Sequence, residues 1–280
     1  VHGGLSLQGN TDGQRWSAAG EIDLDSAIWR GIQLTQVRGP ILMDQSGVRF
    51  GAMTMSDGIT PRRLSAKVAG GKIEVDGIAS SSGLGGFTVA ASLVDADLER
   101  LACDSHGTPH RSKGKVFGSV EISGTRAGTH SLRGHGQLRI RDADVYELPL
   151  VVAMLKMLRV KSPDRNAFGS SFIQFRIAGP HAYLDEIELA GDAISLVGNG
   201  EVGFDGDVQM TFRSIMGDAE EQLPAMKRML GGASGQFLLL HVDGSLGSPE
   251  LSTEAFPTLA AAIQKLQSQR QEKTRPRRTA

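Results

Sequence analysis

The stretch that decides the fold reads Lys115-Val116-Phe117-Gly118-Ser119-Val120-Glu121-Ile122. Val116, Val120 and Ile122 share one parity, and the polar Ser119 and Glu121 have the other. Successive side chains of a β-strand point to opposite faces, so this stretch has one apolar and one polar face. That alternation is typical of a strand in an antiparallel sheet with one solvated side.

The same alternation recurs along much of the chain, at residues 73–75, 87–93, 173–177, 187–189, 194–196 and 208–212. Tight hairpin turns prefer Asp-Gly and Asn-Gly pairs, because their two central residues need positive φ. Such pairs are Asp12-Gly13, Asp57-Gly58, Asp76-Gly77, Asn199-Gly200, Asp205-Gly206 and Asp243-Gly244. Alternating strands joined by tight turns predict an up-and-down antiparallel sheet.

Three short helices are predicted at 149–160, 218–230 and 257–271, and the first and third begin at a proline, which suits a first helical turn. The segment after residue 270 is polar and basic, and we expect it to be disordered. The predicted fold class is therefore mainly β: a long curved antiparallel sheet, U-shaped in cross-section, with about three short helices.

Composition narrows the functional classes. The formal net charge of -1 provides no general attraction to nucleic acid, and aromatic residues make up only 5% of the 280 residues. Cys103 is the only cysteine, so an internal disulfide is impossible. The sequence starts at Val1 and has no apolar run of about 18 residues, so we expect a fragment or mature part of a longer protein, with any anchor or export signal outside this sequence.

Motifs that could carry chemistry have simpler explanations. Gly198–Gly203 matches a dinucleotide-binding pattern, but a hairpin is predicted after it instead of the required helix. Cys103, His106 and His110 could bind zinc, yet a loop through Gly107 and Pro109 provides no common face and no fourth ligand. We therefore expect neither a cofactor nor a metal.

Two similar acidic segments lie 47 residues apart: Asp95-Ala96-Asp97 and Asp142-Ala143-Asp144. They form a faint internal repeat, as in an array of supersecondary units. Carboxylate catalysis requires side chains that converge across a cleft, whereas we expect these aspartates to cap turns or helices. No catalytic residue is predicted, and the chain is expected not to be an enzyme.

The apolar faces of so many strands need a cover, and three short helices provide little. Two sheets could pack together as a sandwich. Alternatively, one long sheet could curl into a trough whose interior is apolar. Only the trough provides a binding surface, and there each buried CH₂ of an acyl chain contributes about 0.8 kcal/mol.

The region from about Lys113 to Phe256 resembles the C-terminal regions of AsmA-like proteins, the family that includes TamB and YhdP. The resemblance lies in patterns of glycine and alternation. The matching segments are Gly134–Ile140 leading to Glu147–Leu150, Phe175–Gly179, Ile187–Asp192, Leu196–Val202 and Val242–Pro249, and Lys72–Leu101 is similar to a preceding copy of the same unit. It implies a repeating β-groove that moves phospholipids between the inner and outer membranes of a diderm bacterium. It implies no catalytic residues.

From this resemblance we expect three regions: 1–112 as N-terminal β-groove repeats, 113–256 as the AsmA-like groove region, and 257–280 as a terminal helix with a basic tail. We expect a periplasmic or envelope location, a role in outer-membrane biogenesis, and an inner-membrane anchor outside this sequence. The expected partners are phospholipid or another acyl lipid, a membrane surface at one end and other envelope proteins, but no nucleic acid.

Parity alone predicts which side chains line the groove. They are Val116, Val120, Ile122, Leu138, Ile140, Ile173, Phe175, Ile177, Ile187, Leu189, Ile194, Leu196, Val202, Phe204, Leu238, Leu240 and Val242. A β-bulge would invert the assignment beyond it. Two alternatives stay open: a structural or adhesive β-repeat without a lipid ligand, and a β-scaffold hydrolase with a metal or carboxylate pair.

Overall fold

The computed structural model describes residues 1–29, 31–51, 62–101, 113–144, 169–190, 194–216 and 237–256. The strands in this part of the chain are β1 (His2–Thr11), β2 (Trp16–Trp29), β3 (Ile32–Asp44), β4 (Gly47–Phe50), β5 (Leu64–Val68), β6 (Gly71–Ser80), β7 (Phe87–Asp97), β8 (Lys113–Gly124), β9 (Arg133–Asp144), β10 (Ser170–Ala178), β11 (His181–Ala190), β12 (Ile194–Gly203), β13 (Val208–Met216), β14 (Phe237–Ser245) and β15 (Ser248–Phe256). A short 3₁₀ turn covers Thr129–Ser131.

All fifteen strands belong to one antiparallel sheet whose order follows the chain from β1 to β15. β4 and β5 occupy the same position, because β4 pairs with one half of β3 and β6 and β5 pairs with the other half. The prediction of a mainly β fold with one long antiparallel sheet is confirmed. A sandwich of two separate sheets is not present among the described strands.

The three predicted helices, at 149–160, 218–230 and 257–271, lie outside the described residues, as does the basic segment after residue 270. Within the described ranges, no helix has the length and apolar character needed to cross a membrane. The predicted boundary between residues 112 and 113 falls between β7 and β8, which pair along most of their length. The sheet is therefore continuous across that boundary.

The turn predictions were partly wrong. Asp12-Gly13 and Asp205-Gly206 lie in turns, whereas Asp76-Gly77 and Asn199-Gly200 lie inside β6 and β12. Gly77 opposes Phe50 in the ladder, and a Cβ at Gly77 would overlap the Phe50 ring. This glycine permits close side-chain approach within a strand, which is a second use of glycine in sheets.

Two further pairs complete the account of the turns. Asp243-Gly244 lies in β14, and the turn follows at Leu246-Gly247. Asp57-Gly58 lies outside the described residues. An Asp-Gly or Asn-Gly pair therefore marked a turn only where its glycine was not needed for packing between strands.

Three non-glycine residues inside the described strands adopt positive φ: Gln36 (53°) in β3, Asp95 (60°) in β7 and Asp142 (51°) in β9. In β7 and β9 the residue lies where the ladder register shifts, as in a β-bulge. The two similar acidic segments thus share a bulge at their first aspartate, which the sequence did not predict. Asp97 directly precedes a helical turn at residues 98–101, and the residues that follow Asp144 lie outside the described part of the chain. Asp tolerates this left-handed conformation better than most residues, which accounts for its recurrence.

The bulges keep the apolar face continuous. Leu93 and Ala96 have opposite parity, yet the bulge at Asp95 places both on the same face: Leu93 pairs with Gly118 and Ala96 pairs with Val116. Ala96 is fully buried. Simple parity fails at this point, and the extra residue restores the amphipathic pattern. Bulges also increase local twist, so they contribute to the curvature of a long sheet.

Candidate functional site

The register of the ladders assigns every strand residue to one of two faces, since residues directly opposite each other project to the same side. One uninterrupted cross-strand row consists of Leu64, Val75, Ala91, Val120, Gly136, Phe175, Leu184, Gly200, Met210, Val242 and Leu251. We call the side to which this row belongs the apolar face. Across the described strands it carries mainly aliphatic, aromatic and glycine positions, with hydroxyl residues such as Ser171 and Thr253 and no ionisable side chain.

Most of the predicted lining residues lie on this face. They are Val116, Val120, Ile122, Leu138, Ile140, Ile173, Phe175, Ile177, Ile187, Leu189, Leu196, Val202, Leu240 and Val242. Ile194 and Leu238 lie in β12 and β14, opposite Met216 and Ala255. Parity thus grouped the residues of six strands correctly, because none of the bulges separates members of this set within one strand.

Phe204 is the exception. It lies in the turn after β12, where its amide donates to the carbonyl oxygen of Pro180 (2.9 Å), and it is 51% exposed. The ladder between β12 and β11 ends at Gly203, so Phe204 has no place on the apolar face. Strand alternation from Val202 does not extend to Phe204, because β12 ends at Gly203.

Sequence reasoning omitted other members of the face. In β13, Val208, Met210 and Phe212 are all buried on it. Their alternation with Gln209 and Thr211 was the signal that could have included them. The face also extends through the strands before residue 112, where it includes Val37, Val68, Ile73, Val75, Val89 and Leu93.

Exposure changes along the apolar face. Leu5 and Leu7 in β1 are 54% and 41% exposed. Ile73, Val89, Val120 and Leu138 in the middle strands are half-buried. Near the C-terminal end Leu196, Phe212, Leu240 and Val242 are 1% exposed or less.

The half-buried state of the middle strands fits an open surface. Among the described elements, extensive contacts connect only hydrogen-bonded neighbours within the sheet. Valines and leucines on such a sheet are shielded from the side by the residues next to them, and their outer ends remain accessible. In β7 to β9 the centre of the apolar face, around Val120 and Leu138, is therefore accessible. One cross-strand row of the same strands, Ala96, Val116 and Ile140, is enclosed at 0%, 4% and 9% exposure, as is the part of the face in β13 and β14.

Large side chains on this face lie over glycines of neighbouring strands. A Cβ at Gly136 would come within 2.5 Å of the Phe175 ring, and one at Gly198 within 2.6 Å of the Phe212 ring. Gly77 stands in the same relation to Phe50. Rings that pack across glycine backbone lie flat against the sheet. The result is a low, smooth apolar surface in which bulky rings do not project far from the backbone.

The opposite, polar face is stabilised by exposed ion pairs. Lys72 Nζ lies 2.6 Å from Glu74 Oε1, and this contact lowers the pKa of the Glu74 carboxyl. Arg63 lies 3.2 Å from Asp76. Lys115 Nζ donates to Asp97 Oδ1 at 2.7 Å, which raises the pKa of the Lys115 ammonium.

Two phenylalanines interrupt the polar face, and each carries an arginine. The Arg139 guanidinium lies 5.4 Å from the centre of the Phe172 ring, and that of Arg141 lies 5.2 Å from the Phe117 ring. Such cation–π contacts stabilise by about 0.5–1 kcal/mol at exposed sites. They also cover aromatic surface that would otherwise be open to water. Other apolar residues lie on this face as well: Ile78 and Val94 are 44% and 51% exposed, and Leu239 is fully buried.

Two shallow depressions of about 450 and 550 Å³ lie on the polar face between β3 and β10. They share Asp76, Ala90 and Glu121, and the first also contains Arg63 and His135. Their mixed charges and small floor residues indicate solvated surface between long polar side chains. The second is also lined by Leu42, Phe50 and Ile78, but both are open depressions and not the enclosed cavities that are typical of small-molecule sites.

The described residues contain no group of three or more His, Cys, Asp or Glu side chains arranged to hold a metal ion. Cys103, His106 and His110 lie outside them. Gly198–Gly203 is part of β12, and β13 follows it, so the required strand–turn–helix is missing at that motif. Asp95 and Asp97 do not face a cleft, because both carboxylates lie within 4 Å of Lys115 Nζ.

A scan of the chain against protein-family models found no match, and searches of curated proteins and of solved structures found none either. The resemblance to AsmA-like proteins therefore stays a prediction based on the sequence pattern. What can be said of function follows from the geometry of the sheet.

Proposed function

We propose that the apolar face is a passive binding surface for acyl chains and that the protein conducts lipid without catalysing a reaction. One observation carries the proposal: an apolar row crosses the sheet from Leu64 to Leu251 without an ionisable side chain, and its middle part is only half-buried. Exposed apolar surface of this extent on a soluble domain marks an interaction site.

The energetics suit retention of a lipid against water. A two-chain lipid contains roughly thirty CH₂ groups, and burial of each contributes about 0.8 kcal/mol. Even if an open sheet shields only half of each chain, the gain is about 10 kcal/mol. Transfer from a bilayer is different, because the chains are already out of water there. Exchange between a membrane and this face is therefore close to neutral, so the face conducts lipid in either direction.

The dimensions suit a path longer than one lipid. Fourteen strand positions lie side by side in the sheet. At a spacing of about 4.8 Å they extend over roughly 60 Å, twice the thickness of the hydrocarbon core of a bilayer. Successive strands carry similar side chains on the apolar face. A lipid that moves by one strand therefore replaces its apolar contacts with similar ones. We therefore propose a conduit in preference to a single-site carrier.

The resemblance to AsmA-like proteins supports a more specific version. In that version the chain lies in the periplasm of a diderm bacterium and conducts phospholipid between inner and outer membrane. A membrane surface at one end and other envelope proteins would be its partners, and an anchor outside this sequence would attach it to the inner membrane. Mass spectrometry of an organic extract of the purified chain tests whether phospholipid is the ligand.

A matched pair of substitutions tests the binding surface. Val120 lies on the apolar face and the adjacent Ser119 on the polar face. Val120→Glu places a carboxylate beside the acyl chain and is expected to reduce co-purified lipid at least fivefold, whereas Ser119→Glu is expected to leave it unchanged. Leu196→Glu is a poor alternative, because Leu196 is 1% exposed and a charge there disrupts the core.

Circular dichroism and urea unfolding of both variants show whether the sheet is intact. Equal lipid content in wild type, Val120→Glu and Ser119→Glu would contradict the assignment of the apolar face as the binding surface. A wild-type chain that carries no lipid, even after incubation with phospholipid vesicles, would instead favour the structural or adhesive alternative.

A further inference from the structure

Short turns join the strand ends along one side of the sheet, and we call this side the turn rim. The turns that follow β6, β8 and β10 form its middle and contain no carboxylate. The turn from β8 to β9 contains Arg126, and Arg133 follows it. The carboxylates of the rim lie nearer its two ends, at Asp12, Asp44, Asp205 and Asp207. The middle of the turn rim is therefore its basic part.

Arg126 is exposed, and its side chain lies against the neighbouring turn from β6 to β7. A Cβ at Gly85 would come within 2.5 Å of Arg126 Nε, and the Arg126 amide donates to the carbonyl oxygen of Leu84 (3.1 Å). Arg133 has a different role, because its Nη1 donates to the carbonyl oxygen of Leu132 at 2.6 Å and so stabilises the turn. Arg126 forms no ion pair with another described residue, so the fold holds a cation at the rim without an anionic partner there.

Below the β8–β9 turn, successive cross-strand rows of the apolar face follow each other along β8 and β9. From the rim inward these rows are Ile122 with Gly134, Val120 with Gly136, Gly118 with Leu138, and Val116 with Ile140. Ile122, Val120 and Leu138 are half-buried, whereas the last row is enclosed. In these two strands the apolar face is thus accessible beside the rim and enclosed at the opposite end.

The accessible stretch has the length of an acyl chain. Gly124 ends β8 at the rim and lies six residues after Gly118, which corresponds to roughly 20 Å of strand. An acyl chain in one leaflet of a bilayer spans roughly 15 Å, half the thickness of the hydrocarbon core. A chain aligned with β8 therefore fits between the rim and the enclosed row, and its headgroup can lie only at the rim.

We propose that a lipid on the apolar face aligns its acyl chains with β8 and β9, that its phosphate contacts Arg126, and that lipids with a net negative headgroup are preferred. This inference rests on the proposed function, because only a chain held on the apolar face brings a headgroup to the rim. An arginine guanidinium binds phosphate oxygens through charge-assisted hydrogen bonds. No carboxylate of the three middle turns repels such a headgroup. The middle of the path thus provides a shallow preferred position for an anionic lipid.

A competition between two lipids tests the preference. The chain is incubated with vesicles of phosphatidylglycerol and phosphatidylcholine in equal amounts, and the bound lipid is identified by mass spectrometry. We expect wild type to enrich phosphatidylglycerol roughly fivefold, the size of one exposed charge contact of about 1 kcal/mol. Arg126→Gln is expected to remove the enrichment at unchanged total lipid, and Arg126→Lys to keep part of it. Arg15→Gln, at an exposed arginine of the β1–β2 turn, is the matched control and is expected to keep all of it.

The outcomes separate this inference from the proposed function. Wild type that takes up lipid in the ratio of the vesicles, or Arg126→Gln with wild-type enrichment, would overturn the headgroup site and leave the conduit in place. Wild type that takes up no lipid from any vesicle would contradict both. Inorganic phosphate alone is expected to bind far more weakly than lipid, and NMR signals of Arg126 that saturate with phosphate at lipid-like concentrations would instead indicate a site for free phosphate and overturn the inference.

Fluorescence quenching tests the orientation of the lipid. Trp16 and Trp29 are the two tryptophans of the chain. In a Trp16→Phe, Trp29→Phe background, Ile122→Trp and Leu138→Trp place one reporter near the rim and one near the enclosed row, each opposite a glycine that leaves room for the ring. Phosphatidylglycerol brominated near the headgroup is expected to quench the reporter at 122 more strongly, and lipid brominated near the chain end the reporter at 138. Equal quenching at both positions, or the reverse order, would overturn the proposed orientation.

Discussion

The middle and the C-terminal part of the apolar face have the same chemistry and different accessibility. In β8 and β9, Val120 and Leu138 are half-buried, whereas in β13 and β14 Phe212 and Leu240 are 1% exposed. Both regions consist of alternating apolar residues on a single antiparallel sheet. The pattern of a strand thus determines which face is apolar, but it does not determine whether that face is a core or a surface for a ligand.

The largest expected difference concerns two leucines on the same face. Leu240→Ala removes a fully buried side chain and is expected to reduce the free energy of unfolding by about 2–5 kcal/mol. Leu138→Ala removes a half-buried one and is expected to cost less than about 1.5 kcal/mol. Urea denaturation of the lipid-free chain measures both. Equal losses would mean that the two parts of the face are equally packed, and the comparison would fail.

A smaller difference concerns the glycines beneath the rings. Gly198→Ala forces a methyl group against the enclosed Phe212 ring and is expected to cost about 1–3 kcal/mol, as overpacking in cores does. A Cβ at either glycine also meets a backbone carbonyl oxygen of the neighbouring strand, Thr211 O at 2.5 Å from Gly198 and Ser119 O at 2.6 Å from Gly136. The difference lies in the rings: Phe175 is half-buried and can move outward, so the cost of Gly136→Ala is expected to be smaller. Differential scanning calorimetry ranks the two variants, and a higher cost at Gly136 would show that the middle of the face is as tightly packed as the core.

The smallest expected effect concerns the polar side of the middle strands. There the Lys72–Glu74 contact lowers the pKa of Glu74, so its contribution to stability is present above the unfolded-state pKa and is lost as pH falls through the folded-state value. Lys72→Ala is expected to raise the pKa of Glu74 towards its ordinary value and to change stability by less than about 1 kcal/mol.

NMR titration of the Glu74 carboxyl in wild type and Lys72→Ala measures this shift. An unchanged pKa would show that the ion pair is absent in solution. A large loss of stability would show that exposed ion pairs stabilise the middle strands more than packing does. The middle strands would then differ from the C-terminal core in the kind of interaction that holds them together.

Much of the fold followed from the sequence because each strand encodes its own amphipathic pattern. Lys115–Ile122 alone indicated a half-buried antiparallel strand, and most of the predicted lining residues lie on one face as parity required. The failures have local causes. Phe204 lies beyond the end of its strand, and Gly77 serves side-chain packing instead of a turn.

The repeated acidic segments show a failure of a different kind. Asp95 and Asp142 occupy left-handed positions in bulges, where they correct the phase of the strand. A sequence pattern signals an aspartate that tolerates positive φ, but a turn, a helix cap and a bulge all use that property. Only the pairing partners on adjacent strands distinguish a bulge from a turn.

The sequence by itself determined the strand-rich composition, the two-sided chemistry of each strand and the absence of charge on one side, because side-chain alternation is a local property of the chain. The tertiary structure decided that the strands form one sheet and not two, and that bulges keep the apolar face in phase. It also decided that this face is accessible around Val120 and Leu138 and enclosed along the row of Ala96, Val116 and Ile140 and near β13 and β14. Those properties depend on which strands pair and on what lies over them, and no single strand encodes either.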